Sequence, residues 1–318
     1  MTVKAVIFDL GGTLVDPYSL APLRSLQRAF RSVGYQISNH EMNRYMGLDK
    51  RHHIQCALKA YHRKNDTADI HHLGNLLYTR FKEDHMRLLD QPIQIIPGFP
   101  EVYAHLKDKQ IPMGVTTGYA YHETLQIMQQ FRKRGYTFDS VVPSTADRKR
   151  PAPDMIYKNL ENLGLTTLDS KAVLKVDDSP YGIEEGVRAG CLTVGVARYS
   201  TLMNMYDDSG STLGIPQGVG GHLRGARMHR KLGRARRQLT EAGSDFVIND
   251  LTELIGLIGI IENLDDSVPP DDSPRSPSSG IPRQRRGHRT RSTSCISPQS
   301  TREGHTCGAA YGLGDTWG

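Results

Sequence analysis

Little in this chain can form a covalent or metal-pinned scaffold. It has four cysteines, at 56, 191, 295 and 307, none in C-x-x-C spacing and none paired with histidines in a zinc pattern. That excludes a zinc ribbon and a dithiol redox site, and reduced thiols of a cytoplasmic protein fit best. Long apolar runs are missing too. The longest, 254–261, is a buried-helix length, well short of the ~20 residues of a membrane span. The start lacks a signal peptide's apolar core: one lysine precedes VIFDLGG, where an acidic residue interrupts the run. Basic runs at 222–237 (HLRGARMHRKLGRARR) and 283–291 (RQRRGHRTR) carry much of the net charge of +6, and no aromatic residue interleaves with them. Without stacking platforms a single-strand nucleic-acid surface is disfavoured. A solvated helix face or a disordered stretch is the plainer reading.

Apolar residues make up only 37% of the chain, and they are unevenly spread. They fill the part before residue 265 and nearly vanish afterwards, where Ser, Pro, Arg and Gly dominate. The expectation is a globular body with a sizeable core, followed by a disordered basic and polar tail over 265–318. Residues 205–221, rich in Gly and Ser, read as a mobile loop.

Within the body, residues 3–8 are an apolar, β-branched run of the buried parallel-strand kind, ending at Asp9. Residues 19–92 then change character. Leu20, Leu23, Leu26 and Phe30 recur at helical spacing and no strand signal follows, which predicts a helical insertion. Alternation resumes beyond it. Strands are predicted at 111–116, 138–142, 172–176, 192–196 and 246–248, and helices at 100–109, 121–134, 153–163, 182–189 and 250–263. Strands alternating with helices imply an α/β fold, a parallel sheet flanked by helices on both faces. Its ligands should bind beyond the carboxyl ends of the strands.

Four polar clusters fall at or beyond those ends: Asp9 with Gly11, Gly12 and Thr13; Thr117 with Gly118; Arg150; and Asp177 with Asp178. Carboxylates from different strands suit a hard divalent cation. A glycine turn offers backbone N–H groups to phosphate oxygens, and a hydroxyl with an arginine completes an anion cage. Each piece alone is ordinary, for a lone Asp after a strand usually caps a helix. All four in this order point to metal-assisted phosphoryl transfer.

VIFDLGGTLVD, GVTTGY, Arg150 in KRPAPDMIYKN, and VDDSPYGIEEGVRAG resemble the four motifs of the haloacid dehalogenase superfamily. The resemblance covers residues 3–200, with a weaker match at 245–263. It implies a Rossmann-like core (1–18 and 93–264) with a helical cap at 19–92. It also implies Asp9 as a nucleophile forming an aspartyl-phosphate, and Mg²⁺ held by Asp9, the Gly11 carbonyl and Asp178, with Asp177 as an additional ligand. Gly11 stands where phosphatases of the superfamily carry the Asp that protonates the leaving alkoxide. A carbon leaving group needs no such acid if its carbanion is stabilised.

The cap offers a stabiliser. YMGLDKRHHIQCAL at 45–58, SLAPLRSL at 19–26 and TTGY at 116–119 resemble the phosphonoacetaldehyde hydrolase branch. That implies Lys50 as an imine-forming lysine with Met46 and His53 beside it, phosphate contacts from Gly11, Gly12, Thr117, Gly118, Tyr119 and Arg150, and a homodimer. The substrate would be a small phosphonate, cleaved to acetaldehyde and phosphate. Burial and the neighbouring Arg51, His52 and His53 are expected to lower the amine's pKa. Met46, Lys50 and His53 share a face if the segment is helical; Gly47 makes a loop-to-helix transition an equal expectation.

The chain departs from the branch pattern at several points. Gly11 replaces the usual Ala, Ser19 replaces a Cys, Asp177-Asp178 replaces Gly-Asp, and Gly182 stands where a further Asp is usual. Two other readings remain open: a phosphatase of the same core acting on a small phosphate monoester, which Gly11 disfavours, and a non-enzymatic nucleic-acid binder using 222–237.

Overall fold

The structure, a computed structural model, describes residues 2–62, 70–205 and 226–263. The first strand, β1 (Ala5–Phe8), is buried at every position. Its alternation divides the core in two. Val6 and Phe8 face one cluster, with Phe99, Leu106, Phe131 and Ile258. Ala5 and Ile7 face the other, with Ile156 and Leu160. Covered on both faces, the strand can be apolar throughout.

Four helices follow it: α1 (Leu20–Arg31), α2 (Asn39–Asn43), α3 (Lys50–His62) and α4 (Ile70–Leu89). Next come α5 (Phe99–Asp108), β2 (Met113–Thr117), α6 (Tyr121–Lys133), β3 (Ser140–Pro143), α7 (Asp154–Asn162) and β4 (Val173–Asp177). The chain continues with α8 (Pro180–Ala189), β5 (Leu192–Val196), α9 (Ala226–Glu241), β6 (Phe246–Ile248) and α10 (Glu253–Asn263). The strands form one sheet in the order β3-β2-β1-β4-β5-β6. Every pairing is parallel, with Phe8 opposite Val115 on one side and Val176 on the other. Chain order reverses between β1 and β4, so a crevice opens there beyond the carboxyl ends.

The four helices between β1 and α5 share an apolar cluster of their own. Leu23, Leu26 and Phe30 of α1 meet Leu77 and Phe81 of α4 and Ile54 and Leu58 of α3. On α4 the buried residues Leu77, Phe81, His85 and Leu89 recur every four positions, the stripe of a helix packed along one side. Each fully buried Leu or Phe contributes roughly 1.5–3 kcal/mol. The same cluster runs on through Met46 to Ile183, Met203 and Leu239, so these helices rest on the sheet side of the molecule.

The basic segment is the main addition to the sequence reading. Residues 226–241 form a helix whose apolar footing is the buried Ala235 and Leu239, with Met228 and Leu232 packed half-buried against the same cluster. A Cβ at Gly195 would lie 2.9 Å from Leu239 Cβ, so α9 sits hard on β5. Arg230, Arg234 and Arg237 face solvent, as a solvated helix face requires. The expected mobile loop lies largely, and the expected disordered tail wholly, outside the described residues. Among the described residues, no helix is long and apolar enough to cross a membrane.

Candidate active site

Strand geometry places the first group. β1 ends at Phe8, so Asp9 emerges at the rim of the sheet, where it is 4% exposed. Two strands bring it partners: Thr117 closes β2, and Asp177 closes β4 with Asp178 just beyond. Arg150 arrives from the segment after β3 and is almost wholly buried, its Nη1 2.8 Å from Asp9 Oδ1.

Oxygen atoms of Asp9, Asp177 and Asp178 lie within 4.8 Å of one another. Burial, then Asp9 and Asp177, push the Asp178 carboxyl well above its ordinary range. Burial first and Asp177 second raise Asp9 to about 6, against the pull of Arg150 and Lys175. Crowded, dry carboxylates of this kind fit a hard divalent cation, whose charge offsets their repulsion. Asp178 is oriented for that role by Thr13 Oγ1 (3.3 Å), the Thr201 N–H (3.2 Å) and Ser200 Oγ, which donates to its carbonyl (2.7 Å). Asp177 is differently engaged. Its Oδ1 accepts from the Ser179 N–H and hydroxyl, and its Oδ2 pairs with Lys175 at 3.0 Å and Arg150 at 3.2 Å. Burial works against its charge, yet Arg150 and Lys175 outweigh that and hold it below the usual carboxylate range.

The helices after β1 supply the second half. α3 starts at Lys50, so Met46 lies in the turn before it and the loop-to-helix alternative applies. Lys50 is 5% exposed. Its Nζ donates to the Leu48 carbonyl (3.4 Å) and Met46 Sδ (3.7 Å) and lies 5.7 Å from the centre of the Tyr119 ring. Burial lowers its pKa to about 8, against Glu123, Asp49 and Asp9. Among the largest influences on it the one cation is Arg150, from across the seam, ahead of the sequence neighbours Arg51 and His52. Arg51 instead lies over Tyr78 and reaches Asn75. His53 is wholly buried behind Lys50, edge-on to Tyr45, and burial followed by Lys50 keeps it well below the usual imidazole pKa.

Two glycines let the halves touch. Gly47 has φ +97°, and a Cβ there would fall 2.5 Å from Ser179 Oγ; a Cβ at Gly118 would fall 2.7 Å from the Leu48 carbonyl. The loop before α3 therefore presses its backbone onto the rim of the sheet, and the Gly47 carbonyl accepts from Arg150 Nη1 (3.4 Å). Between them lies a cavity of about 20 Å³, lined by Asp9, Gly11, Met46, Lys50, Thr117, Gly118, Tyr119, Arg150 and Asp178, among others. Gly12, His53 and Asp177 stand outside that wall. A larger chamber of about 310 Å³ opens on the far side of Lys50 and Gly118. Gly11 faces Tyr119: a Cβ would lie 2.7 Å from the phenol oxygen, so the acid of a phosphatase has no room there.

Residues 6–196 match the model of the haloacid dehalogenase-like hydrolases. A phosphonoacetaldehyde hydrolase of Paraburkholderia xenovorans is 33% identical over 272 residues, which cover 82% of this chain and 96% of that one. The phosphonoacetaldehyde hydrolase of Lactiplantibacillus plantarum is 31% identical, over 81% and 96% of the two chains. The chain belongs to the phosphonoacetaldehyde hydrolase family of haloacid dehalogenase-like hydrolases. A solved structure of a phosphonoacetaldehyde hydrolase-like protein from Oleispira antarctica superposes on this hydrolase with a TM-score of 0.72 at 29% identity, covering 85% of this chain and 96% of the other.

Sequence reasoning passed over part of the site. Lys175, Glu185 and Thr116 surround Arg150 and were not singled out, although a lysine inside the apolar run of β4 was a visible anomaly. Glu123 was hidden as an ordinary first-turn acid of α6. It is buried, and its Oε1 lies 2.8 Å from His85 Nδ1 on α4.

Proposed function

We propose that this hydrolase cleaves the C–P bond of phosphonoacetaldehyde, giving acetaldehyde and phosphate, through an imine on Lys50 and an aspartyl-phosphate on Asp9. One observation carries the reading: a buried amine from the helical half and a buried carboxylate from the sheet line the same small cavity, beside a glycine whose surroundings exclude a general acid. Residues 19–92 act as a cap over a core of 1–18 and 93–264. Room for about one water molecule remains when the two are closed, so the substrate enters as the seam opens.

The neutral amine of Lys50 attacks the aldehyde carbon, and loss of water gives the imine. With a pKa of about 8, roughly one molecule in ten carries the free amine at pH 7, against about one in 2,500 for an ordinary lysine. His53, uncharged behind it, and Met46 keep the amine in a dry setting. One carboxylate oxygen of Asp9 then attacks phosphorus. The C–P bond breaks, and its electron pair moves into the imine, protonated on nitrogen, to form a neutral enamine, so no proton is needed at the leaving carbon. Arg150, Thr117 and the N–H groups of Gly11 and Gly118 face the phosphoryl oxygens, with Tyr119 closing the wall, while the Gly12 N–H is taken by the Val15 carbonyl at 2.7 Å and shapes the turn instead. Protonation of the enamine carbon and hydrolysis return Lys50 and release acetaldehyde; water attacks the aspartyl-phosphate and frees phosphate. The Asp9 and Asp178 carboxylates and the Gly11 carbonyl would hold Mg²⁺, which when bound supplies positive charge against the phosphoryl oxygens. Asp177 is kept back from it by Lys175 and Arg150.

The test is acetaldehyde release from phosphonoacetaldehyde, with borohydride added to trap the adduct on Lys50. Lys50→Arg should fold and remain inactive, since a guanidinium stays protonated. Normal turnover by that variant would end the imine mechanism, and faster phosphate release from p-nitrophenyl phosphate would favour a phosphatase.

A further inference from the structure

We infer that Lys175 and Glu185 are positioning residues whose task is to aim the guanidinium of Arg150 at the reacting phosphoryl group. The inference rests on the role proposed above for Arg150, and on a contact network which that role does not itself require.

Lys175 sits in the middle of β4, a strand buried at all its positions. Lysine is almost never fully buried unless paired. Here its Nζ donates to Thr116 Oγ1 at 2.6 Å and lies 3.0 Å from Asp177 Oδ2 and 3.4 Å from Glu185 Oε2. Glu185 reaches in from α8, itself fully buried. Its Oε2 accepts from Arg150 Nε at 2.9 Å and from the Thr116 hydroxyl at 3.2 Å. That hydroxyl also accepts from Arg150 Nη2 at 3.0 Å. Thr116 Oγ1 thus takes two donors and gives its one proton, so its hydrogen-bonding capacity is fully used.

The consequence falls on Arg150. Its guanidinium is planar and rigid. Glu185 holds the Nε edge, while Thr116 and Asp177 hold Nη2. With two corners fixed, the third is fixed as well, and Nη1 points at Asp9. A buried ion network is a poor source of stability, because desolvation cancels much of the attraction. This one does supply a single orientation for the one arginine on the cavity wall. A small misplacement of such a group costs far more in rate than in folding.

The decisive experiment uses the full-length enzyme with Mg²⁺ and reads three quantities: inorganic phosphate affinity by calorimetry, kcat and KM, and borohydride trapping of Lys50 by acetaldehyde, which has no phosphoryl group. Glu185→Gln preserves volume and removes the charge. Phosphate affinity should fall about tenfold and kcat/KM roughly a hundredfold, with trapping unchanged. Should that variant fold poorly, Thr116→Val removes the shared hydroxyl without altering charge. It should lower both quantities, while Thr116→Ser restores them. Phosphate affinity and kcat/KM within twofold of wild type in a folded variant would overturn the inference, as would a parallel loss of trapping. A wild type that traps no imine, yet loses phosphate affinity on Glu185→Gln, would keep the role of the pair and remove the imine instead.

Discussion

Replacing Lys50 by methionine should destroy the activity and stabilise the fold. The amine is 5% exposed, and burial takes its pKa from 10.5 to about 8. A shift of that size corresponds to about 3 kcal/mol of unfavourable free energy for the folded, protonated form, an upper bound given internal relaxation. The sign follows from proton counting. Between pH 8 and 10.5 the unfolded chain still binds a proton that the folded chain has released, so wild-type stability rises with pH across this window. Below pH 8 the wild type carries the whole penalty. Methionine has similar length and no charge, so Lys50→Met should be more stable by roughly 2 kcal/mol at pH 7, with the gap closing towards pH 10. Urea unfolding of both proteins at the two pH values measures the difference, and titrations common to both cancel. A variant no more stable than wild type at pH 7, or a gap independent of pH, would refute the claim that Lys50 is held in a destabilising environment.

Three further outcomes are expected. Asp9→Asn should abolish phosphate release, by several orders of magnitude, while borohydride still traps aldehyde on Lys50; a protein that keeps releasing phosphate would exclude Asp9 as nucleophile. Gly11→Ala should lower kcat/KM by about tenfold because the new methyl meets the Tyr119 hydroxyl at 2.7 Å, and in a Tyr119→Phe background the same change should cost little; additive losses in the double variant would deny that contact. Chelation should remove activity and Mg²⁺ should restore it, with isothermal titration showing one site that Asp178→Asn weakens; full turnover in excess chelator would speak against a metal on Asp9 and Asp178.

Much of the fold was readable because periodicity and punctuation agreed. The runs 192–196 and 246–248 became β5 and β6 without shift, since they are short apolar stretches with β-branched residues, the first just after Gly190 and the second between Asp245 and Asn249. α9 was less legible. Of its sixteen residues, Met228, Leu232, Ala235 and Leu239 pack into the core, and whether so polar a segment folds depends on the surface of β5 that it meets. Asp9, Thr117, Arg150 and Asp178 were found because strand ends converge by topology. The environment of Lys50 was not readable. Its sequence neighbours suggested cationic repulsion, whereas burial and Arg150 provide the shift, and both depend on a seam between segments far apart in the chain. Glu185 escaped notice for the same reason: nothing in a helix sequence tells which of its acids turns inward to meet an arginine 35 positions away.

The two departures at positions 177 and 182 prove to be coupled in space. A Cβ built on Gly182 would stand 1.8 Å from Asp177 Oδ2, so a carboxylate at 177 in this conformation requires glycine at 182. Conversely, a side chain at 182 would displace the Asp177 carboxylate from Ser179, Lys175 and Arg150. The sequence shows an acid gained at one place and an acid missing at another. In space these exchange one carboxylate between the strand end and the first turn of α8. Residues that share one volume do not vary independently, so the pair cannot be judged position by position. The carboxylate remains beside Arg150, and Asp178 keeps its own partners Thr13 and Thr201. The change therefore leaves Asp9 and Asp178, the pair proposed to hold the cation, in place, and it ties the Arg150 network to β4 itself instead of to the helix that follows.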